Sequence, residues 1–453
     1  MNGTSYLLER AWVDGAVQVD VLVEIEGSRF TSVTWDRNPR STSDPPPGKV
    51  PGLTLPGLAN CHSHAFHRAL RGRTQRHQDG GRGSFWTWRE QMYAVAGRLD
   101  PDSYFALARA TYREMAAAGI TTVGEFHYLH HQPDGTPYDD PNAMGVALVE
   151  AAREAGIRIA LLDTCYLSSG FGAPVEGVQG RYDDGDAGRW ADRVSGLDEL
   201  DRREGVVIGA AAHSVRAVPA EQLTMIVDWS RQARPATRPL HVHLSEQPAE
   251  NDACVAAYGA TPTQLLADHG VLGPMTTAVH ATHLTADDIG HLGETVTHAC
   301  FCPTTERDLG DGIGPSRALH DAGARLTLGS DSHAVIDLFE EMRAVELDER
   351  LATQQRGHWS AAELLDAATT SGHASLGFPD AGRIAVGARA DLVTVDLESS
   401  RTAGTGADEH TAVFAASAAD VTRVMVDGRV VFQAGDGEQI GRELSAAIGQ
   451  LSS

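Results

Sequence analysis

Lysine is all but missing from this 453-residue chain: Lys49 is the only one among 37 basic residues, and the rest are arginines. A binuclear metal site bridged by a carboxylated lysine on a central strand is therefore excluded, because Lys49 follows Pro45-Pro46-Pro47-Gly48 in what reads as a loop. One metal is favoured over two. The five cysteines (Cys61, Cys165, Cys254, Cys300 and Cys302) are odd in number and scattered, which fits reduced thiols better than a disulfide framework. Cys300 and Cys302 have no second thiol pair to complete a metal site and read as buried apolar thiols. No apolar run is long enough to cross a membrane. The start, Met1-Asn2-Gly3-Thr4, lacks the basic and apolar segments of a signal peptide, so a cytoplasmic protein is expected. Positive charge is scarce too: the net charge of −24 argues against nucleic acid or an anionic membrane as partner. An anionic small molecule would need local arginines to overcome that field. No Gly-rich cradle with a following lysine is present, so ATP is not expected, and Gly310-Asp311-Gly312 reads as a turn.

Histidine, by contrast, is abundant at twenty residues. His62-Ser63-His64 ends an apolar run, and alternate residues of a strand point to one face, so the pair can share one metal ion. Further candidates follow other strand-like runs: His241-Val242-His243 with Glu246, His280, and Asp331 in Gly-Ser-Asp-Ser-His. Three imidazoles and a carboxylate suit Zn²⁺ with a position left for water, the arrangement of a catalytic site. His127, His130 and His131 form a second cluster, read as a polar barrel rim rather than a metal trap.

From residue 53 to 332, eight short apolar runs (53–62, 121–128, 158–166, 206–214, 239–246, 277–284, 295–303 and 325–332) alternate with helix-like segments. This rhythm predicts an α/β fold, a TIM-like (β/α)₈ barrel. Chemistry in such a barrel sits at the C-terminal ends of the strands, where the candidate ligands occur. In the helix before the second run, Asp102 is the expected cap, Phe105, Ala108, Tyr112 and Met115 share a face, and Gly119 stops it. Both chain ends carry short alternating strands with turns at Glu26-Gly27 and Asp427-Gly428, predicting a small β-sandwich built from the two termini. The expected division is residues 1–52 and 379–453 for the sandwich and 53–378 for the barrel, with 36–51 as linker. Residues 168–188 are Gly-rich and lie on the catalytic face, as a lid or a passive surface loop.

Six strings carry a more specific signal: Asn60-Cys61-His62-Ser63-His64-Ala65-Phe66, Ser84-Phe85-Trp86-Thr87-Trp88-Arg89-Glu90, Glu125-Phe126-His127-Tyr128, His213-Ser214-Val215-Arg216, Cys302-Pro303-Thr304-Thr305-Glu306 and Leu309-Gly310-Asp311-Gly312. Together they resemble the formimidoylglutamate deiminase family of the amidohydrolase superfamily, over roughly residues 55–351. The resemblance implies zinc-dependent hydrolysis of N-formimino-L-glutamate to N-formyl-L-glutamate and ammonia in histidine degradation, by a homodimer. It implies one zinc per chain on His62, His64, His243 and Asp331, with His243 rather than His241 as the ligand. Zinc would lower the pKa of a bound water to about 7. Asp331 would take the water proton, Glu246 would pass a proton to the departing nitrogen, and His280 would polarise the reacting group. Arg89, Tyr128, His213 and Arg216 match the positions that bind the substrate's carboxylates, two arginines suiting a dicarboxylate. His67 stands where the family carries a substrate-binding glutamine, which makes the charge at that point depend on pH.

Two other readings compete. A related mononuclear amidohydrolase, deaminating a heterocyclic amine or opening an imidazolone ring, would not need Arg89 and Arg216 together. A non-catalytic barrel scaffold would not need His62, His64, His243, Glu246, His280 and Asp331 all intact.

Overall fold

A computed structural model describes residues 3–35, 46–75, 85–232 and 237–451. Residues 36–45 of the expected linker, Ser84 and the side chains of Phe85, Trp86 and Thr87 lie outside the described residues. Eight parallel strands run in chain order around a barrel: Leu58–Ser63, Ile120–His127, Arg158–Cys165, Val206–Ala212, Leu240–Leu244, Thr276–His280, His298–Phe301 and Arg325–Leu328. Their residues are almost all buried, as expected of parallel strands covered on both faces. The barrel closes where the eighth strand meets the first. Asp331 N–H donates to His62 O at 3.0 Å and Ser63 pairs with Asp331 in a parallel bridge. Asn60 and Ser330 exchange two bonds across this seam, at 2.7 and 2.9 Å. Gly329 makes the approach possible, since a Cβ there would lie 2.8 Å from that of His62.

Both chain ends meet in a second, seven-stranded sheet. Its order is Arg429–Gln433, Val421–Val426, Leu392–Val395, Gly48–Pro56, Thr4–Val13, Ala16–Glu26 and Arg29–Thr34. Asp427 and Gly428 turn with positive φ (49° and 75°), the geometry a two-residue hairpin loop requires. Residues 53–56, expected in the first barrel strand, instead continue Gly48–Pro56, which pairs with Leu392–Val395. The expected boundary at residue 52 thus falls inside a strand, because this one extended segment serves the second sheet before the chain turns at Gly57 into the barrel. Lys49 lies in that strand rather than in a loop, paired with Leu7. The last helix, Gly437–Gln450, leaves the sheet and is tied to the barrel helix Pro101–Ala117 by the Arg113–Glu443 ion pair. Arg158, at the base of the third barrel strand, joins the two units by binding Asp391 at 3.0 Å and Asp427 at 3.1 Å.

The cap of Pro101–Ala117 is Asp100, not Asp102. Pro101 takes the first helical position, so the residue before it must receive the free amide: Asp100 accepts from Ser103 N at 2.8 Å, and Asp102 falls in the first turn.

Candidate active site

Backbone strain marks the C-terminal rim of the barrel. Ser245, His280, Ala281, Asp331 and His333 all have positive φ, between 40° and 70°, directly at or after the ends of the fifth, sixth and eighth strands. Non-glycine residues held this way cost about 1–3 kcal/mol each and persist where packing and hydrogen bonds over-determine them. At Asp331 and His333 those bonds are on view. His333 contacts Ser330 Oγ at 3.0 Å and Ser63 Oγ at 3.1 Å, and Ser63 Oγ donates to buried Glu125 at 2.6 Å. Glu125 also accepts from Ala65 N at 2.7 Å, which fixes the turn carrying His64. Burial pushes the Glu125 carboxyl up to about 8.

His62, His64, His243 and Asp331 converge in the centre of this rim. Asp331 Oδ1 lies 3.3 Å from His62 Nε2 and 3.4 Å from His64 Nε2, and His243 Nε2 lies 3.1 Å from His62 Nε2. His64 donates Nδ1–H to Phe126 O, and His243 donates Nδ1–H to His213 O, each at 2.9 Å. A carbonyl can only accept, so Nε2 of both rings is left as a bare lone pair facing the others. Burial drives the pKa of all three imidazoles well below the ordinary value, keeping them neutral. Neutral nitrogens and one carboxylate packed this closely repel one another unless a cation takes up their lone pairs. The donor set therefore fits a divalent metal ion. The same donors form overlapping triplets with His280 and His67, each within 4.8 Å: His62, His280 and Asp331, and His64, His67 and Asp331.

His280 is electrostatically unlike its neighbours. Burial opposes its charge, but Glu246, a bond to Glu306 and Asp331 outweigh that and raise its pKa well above the usual value. Its Nε2 lies 3.8 Å from both Glu246 Oε1 and Asp331 Oδ2. Burial likewise raises Glu246, with Asp331 and Glu306 adding to it.

One cavity opens above these groups and brings together His67, Arg89, Tyr128, His213, Arg216, Glu246, His280 and Asp331. Arg89 and Arg216 are both half-buried, with the Arg89 guanidinium 5.3 Å from the centre of the Tyr93 ring. Among the described residues Arg216 makes no ion pair. His67 departs from the expectation of a titrating imidazole. It is buried and bonded to Tyr128 OH at 3.1 Å, and burial holds its pKa well below the ordinary value, so it lines the cavity as a neutral ring. His241 lies deeper, fully buried below His243 on the same strand face and away from the cavity. The His127–His130–Asp163 group brings three donor atoms within 4.8 Å, but Asp163 is already held by Arg193 at 2.8 and 3.0 Å and by Trp190 at 3.0 Å. It forms a buried polar network, with His131 on Asp184 at 3.2 Å.

The sequence reading missed an aromatic wall: Tyr93, Tyr166 and Tyr182, with Trp88 and Met92, also line the cavity. Tyr182 comes from the Gly-rich segment 168–188. Far from hanging free, that part of the segment is anchored: Gln179 Nε2 donates to Tyr93 and Tyr166 hydroxyls at 3.0 Å each, and buried Arg181 donates to the carbonyls of His131, Leu99 and Ala96. The arginine and glutamine within a Gly-rich stretch were the available signal. Residue 306 was legible only as part of a string, with no role attached.

Comparison with known proteins agrees with this architecture. The Amidohydrolase family model matches residues 53–431. Formimidoylglutamate deiminase of Pseudomonas aeruginosa is 36% identical over 88% of this chain and 88% of that protein. A 5-methylthioadenosine/S-adenosylhomocysteine deaminase of Halobacterium salinarum is 30% identical over 84% of this chain and 81% of its own length. The crystal structure of an amidohydrolase from Brucella melitensis superposes with a TM-score of 0.89 at 30% identity, covering 99% of this chain and 100% of that one. No helix among the described residues is long and apolar enough to cross a membrane. With a barrel rim of this geometry and relatives that cleave carbon–nitrogen bonds, the chain belongs to the amidohydrolase family and is a hydrolase of that class.

Proposed function

We propose that the protein hydrolyses N-formimino-L-glutamate to N-formyl-L-glutamate and ammonia in histidine degradation, with one zinc ion per chain on His62, His64, His243 and Asp331. The observation that carries this reading is the polarity of the cavity: two arginines, Arg89 and Arg216, share it with the carboxylates Glu246 and Asp331. Formiminoglutamate matches both sides, with two carboxylates and a cationic amidine. The 36%-identical relative bears that activity in its name.

When bound, zinc supplies a water molecule whose pKa is lowered to about 7. Asp331, whose Oδ2 faces His280, is placed to accept the proton released as the water oxygen joins the formimino carbon. Glu246, kept above the usual carboxylate range by burial, can carry the second proton of that water from the oxygen to the nitrogen that departs as ammonia while the formyl C=O forms, and the proton on Asp331 passes to solvent. His280 donates from Nε2 to the charge that builds up beside the reacting carbon. The product keeps the glutamate nitrogen, now bearing a formyl group.

Ammonia release across a panel of formimino amino acids and heterocyclic amines tests the assignment, with formiminoglutamate expected to give the highest kcat/KM. One observation favours a second reading. The wall of Trp88, Tyr93, Tyr128, Tyr166 and Tyr182 could stack a ring, and the Halobacterium salinarum relative is named for deaminating adenosine derivatives. Preferred turnover of an uncharged heterocyclic amine would select that reading and remove the dicarboxylate one.

Arg89→Lys and Arg216→Lys are each expected to lower kcat/KM on formiminoglutamate by about tenfold or more, because a point charge replaces a planar fork worth about 1.5–3 kcal/mol per charged bond. Removing one carboxylate from the substrate should harm the wild type far more than the variant whose arginine served it. Equal losses in both would mean that the arginines do not clamp the substrate.

A further inference from the structure

We infer that Glu306, one turn into the short helix that follows the seventh barrel strand, is the positioning residue that sets the orientation of His280. The inference rests on the reading of this cavity as a hydrolytic site. Glu306 is buried, and its Oε1 accepts from the backbone N–H of Cys302 at 2.9 Å and from His280 Nδ1 at 3.3 Å. The first bond ties the carboxylate to the helix that carries it, Pro303–Leu309, so the second is made from a fixed point. Among the described residues Glu306 is the one side chain within hydrogen-bonding distance of His280. Glu246 and Asp331 stand 3.8 Å off the opposite nitrogen. His280 has particular need of such an anchor. Its φ of +70° places it where a bulky residue is strained, and the His243 ring stacks on it at 5.7 Å, 12° from parallel, with His62 edge-on at 6.1 Å.

The consequence is a fixed aim. With Nδ1–H given to Glu306, the ring cannot flip without breaking a charge-assisted bond, and Nε2 must face the space shared with Glu246 and Asp331. A carboxylate that never touches substrate thereby decides where His280 points its proton. What matters in this role is reach rather than charge, and two conservative variants separate the two.

Glu306→Gln keeps the length and an oxygen that can accept both bonds, so kcat is expected to stay within a few-fold of the wild type. Glu306→Asp keeps the charge but is one methylene too short to span from Cys302 to His280. Its kcat is expected to fall about tenfold to a hundredfold, with KM and zinc content nearly unchanged, as for loss of one charged hydrogen bond felt in the transition state. In a His280→Asn background the same Glu306→Asp change should cost less than threefold, since the ring it positions is gone. The reverse ranking, with Asp near wild type and Gln poor, would overturn the positioning role, as would full additivity with His280→Asn. Inactivity of the wild type on formiminoglutamate would instead count against the substrate assignment. The cycle can then be read on whichever panel substrate is turned over.

Discussion

Asp331→Asn should leave a folded protein with turnover lowered by about 10³-fold or more, near the upper end of what a single proton-transfer group contributes. Asparagine is isosteric and is itself well tolerated at positive φ, so the backbone at +40° and the seam with His62 should survive. What disappears is the anionic oxygen that lies 3.3 and 3.4 Å from two imidazole nitrogens, together with the acceptor for a water proton. Zinc affinity should fall as well, because three neutral nitrogens remain where a charged oxygen completed the set. Steady-state kinetics and metal analysis of protein purified without added zinc measure both effects. The wild type should carry one zinc per chain and the variant less. Two tightly held equivalents in the wild type would sink the mononuclear model, and wild-type turnover by the asparagine variant would remove Asp331 from the chemistry.

Glu246→Gln should behave differently: zinc retained, KM little changed and kcat lowered on the order of 10²-fold or more, because the amide preserves shape but cannot carry a proton. The geometry explains the split. Glu246 follows Ser245, which has a positive φ, and the imidazole it pairs with is that of His280, Nε2 at 3.8 Å, rather than His62, His64 or His243. Near-normal turnover in this variant would reduce Glu246 to a support for the fold, and loss of zinc would recast it as a ligand. Together with Asp331→Asn it separates the group that should both hold metal and move a proton from the one that should only move a proton.

Local chemistry made much of this readable from the chain. Strand periodicity put His62 and His64 on one face, and the end of each apolar run marked a rim position for His243, Glu246, His280 and Asp331. The near absence of lysine spoke directly to the kind of metal site possible. Arg89 and Arg216, 127 positions apart in the numbering, were paired by resemblance to a family and then found lining one cavity.

Other properties had no local signal. The Gly48–Pro56 strand reads as the approach to the barrel, yet it belongs to the other sheet, because its partners Leu392–Val395 lie more than three hundred residues away. His241 and His243 are equivalent by period; depth inside the closed barrel separates a ring away from the cavity from one that lines it with Nε2 against His62. His67 would titrate near neutrality in an open chain, and burial among Phe66, Trp88 and Tyr128 holds it neutral. Glu306 acquires a role only once the sixth and seventh strands are neighbours and its carboxylate meets His280. The sequence alone thus determined which ligand types, strand rhythm and charges were present, since these follow from side-chain identity and spacing. Only the tertiary structure decided which of them share a site, which are charged and which way they point, because desolvation and hydrogen-bond partners come from segments far apart in the chain.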